Sequence, residues 1–266
     1  MMIDLTKFKP QLVGTGDVDY FLFNQEVVAL EPKIDGVRCI LHKKGTEIRL
    51  YSRTGTDYTK RFSAILPALA SACLADEIVL DGELAVLQNG KVTTSSVALR
   101  NVLEPDMKRV FFAFDCLNID GNDLMQYPLM TRKQHLQLFT ADNEAFTLVP
   151  SHCVDNKDDV LLFYQKAILH FEGIVLKSLK PYCPNSRYHW LKLKPIKTLD
   201  LNVVKKENTK DNKMYLYSLE GEGVVLNRVI SSINAPIGAL VEVAYETHNT
   251  KIRFPKITRI READEK

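Results

Sequence analysis

The stretch 31-EPKIDGVRC-39 sets a lysine two positions ahead of an Asp-Gly step and five ahead of an arginine. Alone it reads in two ways. Asp35-Gly36 can close a β-turn with Lys33 and Arg38 as solvated cations, or Lys33 can be a nucleophile held at the mouth of a phosphate pocket. The neighbouring runs 37-VRCILH-42 and 47-EIRLYS-52 alternate and are partly β-branched, with turn residues between them, which predicts a hairpin.

Further out, residues 59–74 have helical spacing, with Pro67 marking a kink or a boundary between two short helices. Residues 77–87 read as two short strand runs interrupted by Asp81-Gly82. The run 109-RVFFAFDCLN-118 has the near-unbroken apolar pattern of a strand buried on both faces. Pro128 suits the first turn of a helix running to Phe139, and the acidic start of 155–170 suits a helix N-terminus. Residues 171–179 form another strand candidate. From about residue 200 only short strand candidates remain, separated by turn residues such as Asn212, Gly221, Pro236 and Gly238, which predicts a small β-barrel. Pro195 to Asp200 is the expected hinge.

A chain of 266 residues suits one medium and one small domain, and 45% hydrophobic residues are enough for packed cores. The net charge of +2 means that nucleic-acid binding has to come from clustered cations, not from a uniformly basic body. The five cysteines are odd in number and lack Cys-x-x-Cys spacing, so neither a disulfide framework nor a zinc ribbon is indicated. The N-terminus lacks the apolar run of a signal peptide and no segment is apolar over a membrane's thickness. A reduced, cytoplasmic protein is the expectation.

Five further pieces follow the first: Ser-Arg-x-Gly at 52–55, Asp-Gly-Glu at 81–83, Phe-Asp at 114–115, Glu-Gly at 172–173 and Lys-x-Lys at 192–194. Singly, each reads as a turn, an edge strand or a solvated strand face. In this order they resemble the motif set of the covalent nucleotidyltransferases, the DNA ligases, RNA ligases and mRNA capping enzymes, over about residues 26 to 197. The C-terminal strands resemble the OB domain of DNA ligases, and the chain as a whole resembles a minimal ATP-dependent DNA ligase with no appended DNA-binding domain. The resemblance implies an α+β fold: a nucleotidyltransferase (ATP-grasp-like) domain of antiparallel sheets and helices at 1–197, then an OB-fold β-barrel at 198–266.

The chemistry asks for these residue types. An amine attacking a nucleotide α-phosphate must be neutral, whereas a free lysine is protonated at pH 7, so nearby cations and a bound metal ion are needed to free its lone pair. By resemblance Lys33 becomes adenylylated, and Lys192 and Lys194, alternating along a strand and so on one face, contact the α-phosphate as pyrophosphate leaves. Arg38 and Arg53 match residues contacting the ribose side and the nick 5′-phosphate, work that suits the planar guanidinium fork. Asp35, Glu83 and Glu172 match the residues near metal, ribose and 3′-OH, and hard oxygen ligands imply Mg²⁺. Phe114 matches the aromatic stacking on adenine, Glu31 a residue reading the base, and Arg187 an arginine near the phosphates. For Phe114 core packing is an equally ordinary reading.

The segment from Lys177 to Lys197 carries Lys177, Lys180, Arg187, Lys192, Lys194 and Lys197 beside Tyr182, Tyr188 and Trp190. It reads as an open basic track for a DNA backbone, with steep salt dependence, or as a solvated strand face. The C-terminal RFPKITRIREADEK resembles the last ligase motif, whose arginines, here Arg259 and Arg261, orient the pyrophosphate; Asp264 and Lys266 stand where its final two partners would be. The segment 135-HLQLF-139 looks like a sliding-clamp peptide, but its place on a helix predicts that Leu136 and Phe139 face the core, so clamp binding is not expected.

The expected function is thus ATP-dependent sealing of 3′-OH/5′-phosphate nicks in duplex DNA through lysyl-AMP and DNA-adenylate, by a monomer. An RNA ligase or a GTP-using capping-type enzyme is the alternative within the resemblance, and a non-catalytic OB-fold nucleic-acid binder is the more distant one. NAD dependence is disfavoured, because only thirty-two residues precede Lys33 and no zinc-binding cysteines follow.

Overall fold

The computed structural model describes residues 4–248 and 251–261. The chain divides into two compact units, residues 1–194 and 195–266. In the first, helix α1 (Val18–Phe23) precedes strands β1 (Val28–Lys33), β2 (Val37–Lys44) and β3 (Glu47–Ser52). Helix α2 (Leu66–Ala72) leads into β4 (Glu77–Gln88), the short β5 (Lys91–Val92) and the one-turn α3 (Ser95–Ala98). After β6 (Met107–Ile119) come β7 (Asn122–Asp123), α4 (Leu129–Leu138), β8 (Phe146–Leu148), β9 (His152–Val154) and α5 (Lys157–Ala167). The unit closes with β10 (Gly173–Ser178) and β11 (Trp190–Leu193).

These strands form two sheets. The larger runs β3-β2-β4-β6-β7, with β5 beside β4 and β8 parallel to β6; the smaller runs β11-β10-β1-β9, all antiparallel. Strand β6 is central because its side chains are apolar on both faces. Phe111 and Ala113 join Leu41, Leu50, Ile78, Leu80, Leu69 and Leu136 on one side, under α2 and α4. Val110, Phe112 and Phe114 join Ile40, Val79, Ala85, Val175 and Trp190 on the other, where the sheets face each other. Each such aliphatic or aromatic side chain stabilises by roughly 1.5–3 kcal/mol on full burial.

The smaller sheet alternates just as strictly. Val28 and Leu30 of β1, Ile174 and Leu176 of β10 and Leu191 of β11 pack outward against Phe21, Val160 and Ala167 of α1 and α5. With a side-chain period of two, Glu31, Lys33, Val175, Lys177, Trp190 and Lys192 are therefore turned toward the larger sheet. This alternation builds the site.

The α+β fold with antiparallel sheets is as expected, with local differences. Residues 77–88 form one continuous strand, not two runs: Asp81-Gly82 lies within β4, whose register against β6 shifts there. Pro67, as the second of the two readings had it, stands at the boundary between two short helices: it is in the first turn of α2, directly after a 3-10 turn at Ser63–Ile65. Helix α1, capped by the Asp17 carboxylate accepting from the Tyr20 N–H, has too few residues to show a period in sequence. In the clamp-like stretch, Leu136 is in the core and Phe139 packs against it. Cys39, Cys73 and Cys116 are buried in the same core, whereas Cys153 and Cys183 are exposed. Among the described residues no helix is long and apolar enough to cross a membrane.

The second unit is an antiparallel sheet of β12 (Lys197–Asn208), β13 (Tyr215–Gly221), β14 (Val224–Ser231), β15 (Leu240–His248) and β16 (Lys251–Ile260), in the order β14-β13-β12-β15-β16. Leu199, Leu201 and Val203 of β12 meet Tyr217, Leu219, Val229, Val241, Val243 and Ile257 in one core, the OB-type arrangement expected. The boundary falls ahead of residue 197 because Lys197 already pairs with Tyr245 of β15. Arg261 bonds Asp200 at 3.0 Å and Glu242 at 2.7 Å, and Arg259 lies 3.5 Å from Glu242. Asp264 and Lys266 lie outside the described residues.

Candidate active site

Lys33 ends β1 opposite Gly173 of β10, so the next residue back along the chain from Gly173, Glu172, is brought against it. The Glu172 N–H donates to the Lys33 carbonyl at 3.1 Å, and its two carboxylate oxygens accept from Lys33 and Lys194. Burial pushes the Glu172 carboxyl up, but the two lysines outweigh it and hold it below the ordinary value. The close approach needs glycine at 173: its φ is +152°, and a Cβ there would stand 2.2 Å from the Leu193 carbonyl oxygen. Val175 pairs with Lys192, which carries the second predicted lysine to the same side.

Two cavities meet at Lys33. The first, of about 60 Å³, is walled by Glu31, Pro32, Phe114, Val175, Lys177 and Trp190. The second is an open cleft of about 480 Å³ bordered by Ser52, Arg53, Tyr58, Arg187 and Lys192. Val13, Lys33, Arg38 and Glu83 line both.

Arg38 and Glu83 face each other across β2 and β4. Arg38 forks onto Asp81 and reaches the Gln11 carbonyl at 3.2 Å, with its guanidinium 4.6 Å over the Phe114 ring. Asp81 also accepts from the Tyr182 hydroxyl at 2.6 Å, so a fully buried carboxylate fixes the arginine. Burial pushes the Glu83 carboxyl up to about 7, more than Arg38 and Lys33 pull it down.

The first cavity has an ionic floor. Glu31, only 2% exposed, lies 2.5 Å from Lys133 and 2.7 Å from Lys177. Lys177 stands 4.2 Å over Phe114 and 4.1 Å over Trp190. Burial drives its ammonium down to about 8 against the pull of Glu31.

Lys177 is therefore not part of an open DNA track. It is 2% exposed on the inward face of β10, and Tyr182 and Trp190 are buried as well, so the stripe read from 177 to 197 is not one surface. Lys180 is exposed but borders neither cavity, and Lys197 belongs to the second unit. Asp35, half-buried after β1, lines neither cavity either. Among the described residues no three acidic, histidine or cysteine side chains converge to hold a metal, so Asp35, Glu83 and Glu172 form no ready-made cage.

Several residues of the site carry no readable motif: Gln11 and Val13, Arg132, Lys133 and Tyr182; Asp81 and Asp115 stand in motif pieces without a role of their own there. The N-terminal segment reaches the site because Gly14 bonds along β11, donating to the Trp190 carbonyl at 2.8 Å and accepting from the Lys192 N–H at 3.1 Å. Arg132 of α4 forks onto Asp115 of β6 at 2.7 and 2.8 Å. Beyond the Phe-Asp piece, an acid in an unbroken apolar strand signals that Asp115 has a partner, since a buried carboxylate needs one.

Residues 13–194 match the family described as ATP dependent DNA ligase domain. "DNA ligase 1" of Korarchaeum cryptofilum is 30% identical over 201 residues, 71% of this chain and 37% of that protein. "DNA ligase" of Natronomonas pharaonis is 32% identical over 208 residues, 73% of this chain and 37% of that protein. The chain thus spans between a third and two fifths of the length of these two relatives. Among solved structures, the ligase domain of M. tuberculosis LigD superposes with a TM-score of 0.63 at 22% identity, over 97% of this chain and 96% of that one. A Lig E DNA ligase superposes with a TM-score of 0.69 at 20% identity, over 98% of this chain and 100% of that one. These two likenesses speak for the fold.

Proposed function

The chain belongs to the ATP-dependent DNA ligase family, and from that premise we propose that it seals 3′-OH/5′-phosphate nicks in duplex DNA through a lysyl-AMP and a DNA-adenylate. The observation that carries the reading is the place of Lys33, at the junction of a walled apolar cavity and an open cationic cleft. A nucleotide with its base in the first cavity presents its α-phosphate at that junction and its leaving pyrophosphate toward the cleft.

In the first step the Lys33 amine attacks the α-phosphorus; the N–P bond forms and the bond to pyrophosphate breaks. Glu172, held low by its two lysines, stays ionised and positions the amine, and the proton shed by the nitrogen passes to water in the open cleft. Lys192 and Lys194 offset charge as pyrophosphate departs, the electrostatic assistance such a transfer needs. AMP then passes to the nick 5′-phosphate, for which Arg53 and Arg187 offer planar forks at the cleft rim. The 3′-OH displaces AMP last.

Base choice follows from the floor of the cavity. Glu31 supplies an acceptor and Lys177 a donor side by side, which complements the N6 amine and N1 of adenine and opposes the reversed pair on guanine. Phe114 and Trp190 give the base an apolar wall.

Mg²⁺ fits as an ion shared with substrate. Glu83, whose raised carboxyl gains from a cation, is a hard oxygen donor at the cleft, with Glu172 beside Lys33 as a second, and Mg²⁺ is commonly held by one or two carboxylates plus substrate phosphates. When bound, it would neutralise phosphate charge.

Incubation with α-labelled ATP and Mg²⁺, then a denaturing gel, tests the proposal. Covalent label on the chain is expected, with labelled GTP incorporating far less. Equal labelling by GTP would favour the capping-type alternative, and no label with either nucleotide would sink the covalent mechanism.

A further inference from the structure

Lys133 takes no part in the mechanism above, yet it is one of the most deeply placed cations in the first unit. Its side chain is 7% exposed, and its ammonium lies 2.5 Å from Oε1 of Glu31. It borders neither cavity. The helix delivers it accurately: the preceding residue, Arg132, is pinned to Asp115 by two bonds and to the Tyr127 carbonyl at 2.6 Å. Asp115 directly follows Phe114, so α4 is fastened to the strand that walls the base cavity.

Glu31 is thereby shared. One oxygen faces Lys133 from behind, and the other faces Lys177, which does line the cavity. Among the described residues, Oε1 of Glu31 and the ammonium groups of Lys133 and Lys177 make no hydrogen bond of good geometry, although all three are buried. With Asp115 matched by Arg132, one carboxylate confronts two buried ammonium groups. A carboxylate held by a single lysine closes onto it with both oxygens. Held from opposite sides, it cannot, and an acceptor and a donor remain exposed to whatever enters the cavity.

We propose that Lys133 is a specificity-determining, positioning residue for the nucleotide base: by holding Oε1 of Glu31 it limits the contact with Lys177 to Oε2, so that the two groups stand side by side as an acceptor and a donor for the edge of a 6-aminopurine. This rests on the nucleotide-binding reading of the cavity. Removing the Lys133 charge frees Oε1, so that Glu31 turns both oxygens onto Lys177 and the pair is withdrawn from the ligand. Attack by Lys33 is untouched, because Lys33 is held by Glu172 and not by Glu31.

Trp190, the chain's only tryptophan and a wall of the cavity, provides the readout. Nucleotide binding to the full chain is followed by Trp190 fluorescence without divalent metal, so that no turnover occurs, and by equilibrium dialysis of labelled nucleotide. The ligands are ATP, GTP and purine riboside triphosphate, which lacks the exocyclic amine. Lys133→Met should weaken ATP binding about tenfold and narrow the preference over the other two by a similar factor, while Lys133→Arg keeps both within about threefold. Single-turnover labelling of Lys33 at saturating ATP should keep its rate in both variants, so that the loss falls on KM and not kcat. In a Glu31→Gln background, Lys133→Met should add nothing. A folded Lys133→Met with wild-type preference overturns the proposal. So does a folded Lys133→Arg that loses the preference, or a loss that tracks Tm and falls equally on kcat. Wild-type protein that binds none of the three nucleotides overturns the nucleotide reading itself, and the proposal with it.

Discussion

Lys33 and Glu172 meet across 139 positions of sequence, because β1 and β10 pair with Lys33 opposite Gly173. Lys33→Ala should abolish AMP attachment, since alanine carries no nucleophile, yet leave some sealing of nicks already adenylylated. Normal labelling of the variant would reassign the nucleophile. Glu83 makes a sharper point about charge. Its carboxyl is raised by burial from 4.5 to about 7, so between those values the folded protein holds a proton that the unfolded chain releases. Stability from this group is therefore full below about 4.5 and lost as pH rises through 7. At pH 8 the uncharged Glu83→Gln should be more stable than the wild type, on the order of 1–3 kcal/mol, and near pH 4.5 the two should coincide. Thermal melts at both pH values check this, and a Gln variant that melts lower at pH 8 would refute it. The motifs picked out Lys33, Arg38, Arg53, Glu83 and Lys192, which line these cavities, and Glu172, which pairs with Lys33. Lys177 was misplaced because a lysine in a list of cations looks the same whether it meets water or Glu31. Only the strand parity, Ile174 and Leu176 outward against Val175 and Lys177 inward, separates the cases.

At the level of elements, Gly173 couples sheet geometry to the site. A Cβ there would collide with the Leu193 carbonyl, between the two predicted lysines Lys192 and Lys194. Gly173→Ala should therefore force β11 away from β10, destabilise the first unit by roughly 1–3 kcal/mol through strain at an unusual φ, and depress AMP attachment beyond the loss of stability. Urea titration beside single-turnover labelling separates the two effects; a variant with full stability and full labelling would contradict this geometry. The strand β6 was legible because ten consecutive buried positions leave an unmistakable apolar run. Strand β4 was not read whole: Asp81-Gly82 has turn chemistry, but Asp81 is engaged by Arg38 and Tyr182, and Gly82 lies where a Cβ would strike the Phe111 ring. Tertiary partners overrode a local signal.

For the molecule as a whole, a net charge of +2 means that the proposed affinity for DNA has to come from local groups of cations. Lys177 is buried and lines only the first cavity, whereas Arg53, Arg187 and Lys192 line the cleft and Lys180 is exposed. If about four phosphates are neutralised, affinity for nicked duplex should fall on the order of 100-fold between ~50 and ~200 mM salt. AMP attachment over the same range should hardly change, and a salt-insensitive sealing rate would rule out this set of contacts. In the second unit Arg261 is tied to Asp200 and Glu242. If it orients pyrophosphate, as the motif implies, Arg261→Ala should slow AMP attachment about tenfold more than sealing of adenylylated nicks. Equal losses would point to a role in the barrel alone.

The distribution of the thiols gives these experiments an internal clock. All five cysteines are in the first unit, three in one core and two at the surface. Burial pushes the Cys73 thiol up to about 12 and those of Cys39 and Cys116 well above their ordinary value, which suppresses the reactive thiolate. A thiol-specific alkylating reagent should modify Cys153 and Cys183 promptly, then the other three together at the rate at which the first unit opens. The barrel contributes no thiol to that slow phase. Mass spectrometry of the labelled chain thus times the unfolding of one unit while remaining blind to the other.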